Sequence, residues 1–203
     1  MAKQCLATMV LLLLISTYSA CNAPLPAPKP SLPLVIDVQP LGSISTSLVQ
    51  KMLDTLRKHY QHIQVLPAQP LPKHAFYPAR QRFRADSLIV FLQQNTPANH
   101  ATIGITNVDI STSKGNITDW GVMGLGFCPG KACITSSYRL NKIAIASQLF
   151  KVAIHELGHT QGLKHCSVSY CFMQDAKGGN PTNLETDFCP SCKATLIAKG
   201  WVF

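Results

Sequence analysis

Within QLFKVAIHELGHTQGLKHC, residues 148 to 166, the histidines His155 and His159 are four positions apart. On an α-helix that spacing is about 40° of rotation and about 6 Å of rise, so both imidazoles leave the same face. Paired neutral imidazoles are ready zinc ligands. Glu156 lies about 100° around the axis from His155, beside such a metal but not on it. From there it can take a proton from a zinc-bound water. The third ligand is His165, which a straight helix would carry about 9 Å past His159 and off the shared face. The helix must therefore stop first, and Gly162 is the residue that allows the left-handed turn. Three histidines leave a fourth position open to water, the arrangement of a catalytic site. The chemistry this predicts is amide hydrolysis, with Glu156 accepting the water proton and returning it to the leaving amine.

Cys166 follows His165 directly, and adjacent side chains of an extended segment point to opposite sides. The two cannot readily hold one ion. Cys166 with Cys171, and Cys189 with Cys192, have the spacing of a four-thiolate structural zinc site. The second pair opens the predicted helix KATLIAKGW, whose N-terminus favours thiolates. Disulfides, Cys166 with Cys171 and Cys189 with Cys192 or the crossed pairs, are the alternative in an exported protein. Cys128 and Cys133 flank the turn in CPGKAC, where either a local disulfide or two free buried cysteines would fit.

HELGHTQGLKHC, followed by Cys171, Met173, Cys189 and Cys192, resembles the archaemetzincins, a branch of the metzincin zinc peptidases. The resemblance is tightest over residues 155 to 192. It implies that His155, His159 and His165 bind the catalytic zinc, that Glu156 is the general base, and that the four cysteines bind a second, structural zinc. It also implies that Met173 is the methionine of the turn beneath the catalytic metal, although alone it would read as a core residue. Two zinc ions per chain are thus expected, in a metzincin-like α/β (α+β) fold. That fold has a twisted mixed sheet with two helices, the motif helix, and a small C-terminal subdomain around the cysteine-bound zinc. The substrate is a peptide or protein, and both endopeptidase and aminopeptidase action stay open.

These residues need a scaffold, and the preceding chain offers one. LPLVIDVQPL alternates as a first strand, and Ser45 or Ser47 can cap the helix SLVQKMLDTLRKHY. HIQVLP reads as a second strand, and residues 66 to 79, with four prolines, as a loop. A second helix is expected across Arg80 to Gln94, with RQRFR on a solvated face. ATIGITNVDI, DWGVMGLGF and ACITSSYRL read as strands. The first two are candidates for an edge along which an extended peptide could pair.

At 203 residues and 46% hydrophobic, the chain supports one domain with a sizeable core. Residues 1 to 20 read as a signal peptide, with Lys3 before an apolar run from Met9 to Ile15. Ser19, Ala20 and Cys21 resemble a lipoprotein cleavage site, which makes Cys21 the lipidated N-terminus. Residues 21 to 33 form a Pro-rich tether, and residues 34 to 203 the peptidase-like domain. The expected location is an exported, membrane-anchored lipoprotein, periplasmic or on the cell surface, with simple secretion as the alternative; archaemetzincins are commonly cytosolic, so this leader is an addition. The sequon at Asn116 is then a chance match. Loss of the leader takes the formal charge from +9 to +8. Basic residues do not interleave with aromatics in a run, which argues against nucleic acid, and a monomer is expected. A competing reading is an inactive, surface-tethered zinc-binding module with a protein-interaction role.

Overall fold

The computed structural model describes residues 33–203. The predicted signal, the lipidation residue Cys21 and all but the last residue of the tether lie outside the described residues. In chain order the elements are β1 (Val35–Pro40), α1 (Thr46–Leu56), β2 (Ile63–Val65), β3 (Phe76–Tyr77), β4 (Arg82–Arg84), α2 (Ala85–Gln94) and β5 (His100–Thr106). Then follow β6 (Ile110–Lys114), β7 (Ile117–Val122), β8 (Gly124–Gly126), β9 (Ala132–Ser136), α3 (Ile145–Thr160) and α4 (Pro190–Ile197). Among the described residues no helix is long and apolar enough to cross a membrane.

A five-stranded sheet runs in the order β2-β1-β5-β9-β8, parallel except for β8, which lies antiparallel to β9 at one edge. Strand alternation divides its side chains between two cores. Ile36, Val38, Ile103, Ile105 and Cys133 pack with α1 and α3, whereas Ala132 and Ile134 pack with α2. Asp37, 2% exposed on β1, is paired: it accepts from Gln64 and faces His100 Nδ1 at 2.8 Å. Ser45 caps α1, its Oγ accepting from Leu48 N.

The second sheet, β3-β4-β6-β7, revises three expectations. The predicted helix over Arg80–Gln94 begins only at Ala85, because Gln81 takes a left-handed φ of 51° and residues 82–84 pair as β4 instead. RQRFR is accordingly no solvated helix face. Arg82 pairs with Asp109 at 2.8 Å and Asp119 at 3.0 Å, Arg80 reaches Asp119, and Arg139 reaches Asp109, pinning β4 to the β6–β7 hairpin. ATIGITNVDI splits at Asn107 into β5 and β6, which belong to different sheets, and DWGVMGLGF splits at Met123 into β7 and β8 in the same way. Of the two edge candidates, β5 is central and only the GLG portion of the other forms the edge of the five-stranded sheet.

Candidate functional site

α3 delivers His155, Glu156 and His159 and ends where the chain needs it to. Gly162 has φ +91°, Gly162 N donates to His159 O at 2.8 Å and Leu163 N to Gly158 O at 3.0 Å. This bond pair closes a Schellman turn, and Leu163 then covers Gly158. The turn brings His165 back beside the helix, with ring centroids 5.4 Å from His155 and 4.9 Å from His159. One ligand atom from each of the three histidines lies within 4.8 Å of the others.

The ring tautomers follow from backbone carbonyls, which only accept. His155 Nδ1–H donates to Phe172 O at 2.6 Å, and His159 Nδ1–H to Leu163 O at 2.8 Å. Both Nε2 lone pairs are therefore free, and they converge to 3.0 Å. Tetrahedral zinc at about 2.05 Å from each nitrogen sets them about 3.3 Å apart, so this donor set fits the metal. Burial, then the neighbouring His159, holds the His155 pKa down to about 3, and burial also lowers His159. Protons do not compete for these nitrogens near neutrality. His165 is half exposed, its Nδ1 3.9 Å from Asp175 Oδ2.

Glu156 is 7% exposed and its carboxyl, raised by burial to about 8, lies against β8. An added Cβ at Gly124 would meet Glu156 Oε1 at 2.6 Å, and one at Gly126 would meet Glu156 O at 2.8 Å and His159 Cβ at 3.1 Å. Only glycine at both positions lets the edge strand approach the helix this closely. Sequence reasoning passed over these two glycines, although GLG inside a predicted strand was the available signal. Helix, strand β8 and the loop after Met173 enclose a cavity of about 530 Å³ that holds all three histidines and Glu156. Trp120 of β7 closes its far side against Gly178, where an added Cβ would lie 3.1 Å from the indole.

Cys166 turns away from the histidines, as adjacency requires. Its Sγ lies 3.7 Å from that of Cys189, and the four thiols of Cys166, Cys171, Cys189 and Cys192 are within 4.8 Å of one another. Tetrahedral zinc–thiolate bonds of about 2.3 Å separate sulfurs by about 3.8 Å, which this set matches. Cys171 Sγ accepts from Cys189 N at 3.3 Å and Met173 N at 3.5 Å. Burial tends to raise the thiols of Cys171, Cys189 and Cys192, but at Cys189 hydrogen bonds from the Cys192 backbone and the neighbouring thiols outweigh it and bring the pKa below the usual value. Cys192 stays well above it.

Residues 171–173 join the two clusters. Cys171 belongs to one, the Phe172 carbonyl holds His155 of the other, and fully buried Met173 packs its sulfur where an added Cβ on Gly158 would come within 2.5 Å. Cys128 and Cys133 are not brought together. Among the described residues the six cysteines are free; Cys133 points into the core from β9, while Cys128 opens on the cavity and donates to Leu163 O at 3.2 Å, so the possible disulfide is not formed.

Known proteins carry the same architecture. A sequence profile described as Peptidase family M54 matches residues 44–198. An archaemetzincin of Halobacterium salinarum is 30% identical over 180 residues, 80% of this chain and 99% of its own length. That of Haloquadratum walsbyi is 28% identical over 177 residues, with the same coverage. The crystal structure of the Archaeoglobus fulgidus archaemetzincin, complexed with malonate, is similar with a TM-score of 0.69 at 26% identity, over 80% of this chain and 99% of that one. The Methanopyrus kandleri archaemetzincin shares the fold at 23% identity and TM-score 0.68, over 82% of this chain and 95% of that one. A three-histidine cluster, a four-cysteine cluster and this family match together place the chain in peptidase family M54, among the archaemetzincins, and make it a zinc metallopeptidase.

Proposed function

We propose that this chain hydrolyses peptide bonds with Glu156 as general base, and that the four cysteines hold a second, structural zinc. The observation carrying the proposal is the convergence of three histidine ligand atoms beside a buried carboxyl within one cavity. His155, His159 and His165 would hold a catalytic zinc, which when bound polarises a carbonyl and acidifies a water. β8 presents a free edge to the same cavity, so an extended peptide can pair with it and lay its scissile bond beside Glu156. Glu156 then accepts a proton at a carboxylate oxygen and returns it to the leaving nitrogen. Glu156→Gln, compared at equal zinc content on a mixed peptide library, should lower turnover by about 10²–10⁴. Equal rates would overturn the assignment. Metal analysis should give two zinc ions per chain; one zinc with Cys166, Cys171, Cys189 and Cys192 all unreactive toward a thiol reagent after chelation would replace the structural zinc by disulfides.

The leader supports a second proposal, that the protein is exported and anchored through a lipid on Cys21 to act as a monomer at a membrane surface. Cys21→Ala should move the full chain from the membrane fraction to the soluble fraction. An unchanged distribution removes the anchor.

A further inference from the structure

The cavity extends past the histidines along α3. Lys151 and Val152 sit one helical turn before His155 and Glu156, about 6 Å along the axis, and both line it. Thr182 and Glu185 line the same end. They are tied to the helix by the Lys151 ammonium, which donates to Thr182 O at 2.5 Å and Glu185 O at 2.7 Å.

Glu185 is the anomaly there. It is 2% exposed, yet among the described residues its carboxylate accepts no hydrogen bond and forms no ion pair. Burial raises its pKa to about 7 even with Lys151 nearby. A carboxylate in a cavity wall with no donor on it is costly, and three of the cavity's cations are already engaged. Arg139 donates twice to Asp109, Lys114 lies over Trp120, and Lys151 serves the two carbonyls. Asp175 accepts from Lys177 N. Apart from Glu156, the acidic group in this cavity still short of a donor is Glu185.

We propose that Glu185 selects substrates bearing a cationic group, an ammonium or guanidinium, that enters this end of the cavity next to the three histidines. The inference rests on the peptidase reading and names the substrate class of the same site. A cation arriving there restores the ionised carboxylate, so charge and hydrogen bonding are met together. Its source is either a Lys or Arg side chain beside the scissile bond or a free α-amino group.

Peptides with blocked termini that differ at one position, Lys, norleucine or Glu, test this, together with the norleucine peptide carrying a free N-terminus. The zinc-loaded protein should favour the Lys peptide over norleucine at least about tenfold in kcat/KM. Glu185→Gln should bring that ratio to within about twofold, and Glu185→Asp to an intermediate value, with melting temperature and metal content kept. An advantage for the unblocked norleucine peptide instead assigns the site to the α-amine. Direct binding of the same peptides to zinc-loaded Glu156→Gln protein reads the preference without turnover, and so separates failure of this assignment from failure of the peptidase reading. A lack of preference for any cationic peptide, or one that survives in Glu185→Gln, overturns the proposal.

Discussion

The Nε2 atoms of His155 and His159 lie 3.0 Å apart while both Nδ1–H groups are held by backbone carbonyls. Two lone pairs face each other, and with the His155 pKa near 3 no proton bridges them at neutral pH. A dication relieves this, so zinc should stabilise the fold. At a thousandfold excess over Kd the gain is about 4 kcal/mol. Thermal melts of chelated and zinc-loaded protein measure it, and coincident melts would show that the histidines are not a metal site.

Glu156 predicts a pH dependence of the metal-free chain. Its folded pKa, raised by burial to about 8, exceeds the unfolded value of 4.5, so the folded state keeps a proton that the unfolded state loses. Stability from this group is complete below 4.5 and declines as pH rises toward 8. The decline is about 1.4 kcal/mol per pH unit within that window. Urea denaturation of metal-free wild type against Glu156→Gln, from pH 5 to 8, should show wild type losing ground. Parallel curves would place Glu156 in a wetter setting than this structure gives it.

Gly126 should be intolerant of any side chain. A Cβ there meets the Glu156 carbonyl at 2.8 Å and His159 Cβ at 3.1 Å, both parts of a packed helix that cannot swing aside. Gly126→Ala should push β8 off α3, costing about 1–3 kcal/mol and at least about tenfold in kcat/KM. Gly115, with φ +56° but open space around its Cβ position, is the contrast: an alanine there meets backbone strain and no clash. Full activity in Gly126→Ala would mean that the strand adjusts freely.

The histidines and cysteines were legible in the sequence because their geometry is local. Helical period aligns His155 with His159, Gly162 turns the chain, and adjacency separates His165 from Cys166. What escaped depends on contacts between distant segments. Phe172 orients His155 through its carbonyl, a group every residue has, and so leaves no mark in the residue types. Glu185 reads as an ordinary loop acid until the fold buries it beside Lys151. β5 and β6, or β7 and β8, read as single strands because apolar alternation runs on while the chain changes sheets. RQRFR has helix-compatible composition, and only pairing with Asp109 and Asp119 makes it a strand.

Cys166 and His165 serve different clusters, so damage to one should reach the other. Cys166 N donates to Met173 O at 2.7 Å, and its Sγ faces Cys189. Losing that thiol loosens the segment 171–173, whose Phe172 carbonyl fixes the His155 tautomer and whose Met173 supports Gly158. Cys166→Ser should therefore release the cysteine-bound metal and also weaken zinc at the histidines, about 10–100-fold, the range seen when groups behind a ligating histidine are removed. Competitive chelation of each metal, with peptide hydrolysis as the second readout, measures both effects in one variant. The coupling runs through backbone carbonyls and a buried thioether, so Lys164→Ala, at the exposed residue just before His165, should leave both affinities in place. If Cys166→Ser keeps two zinc ions and full activity, the two clusters are independent and residues 171–173 are held by packing alone.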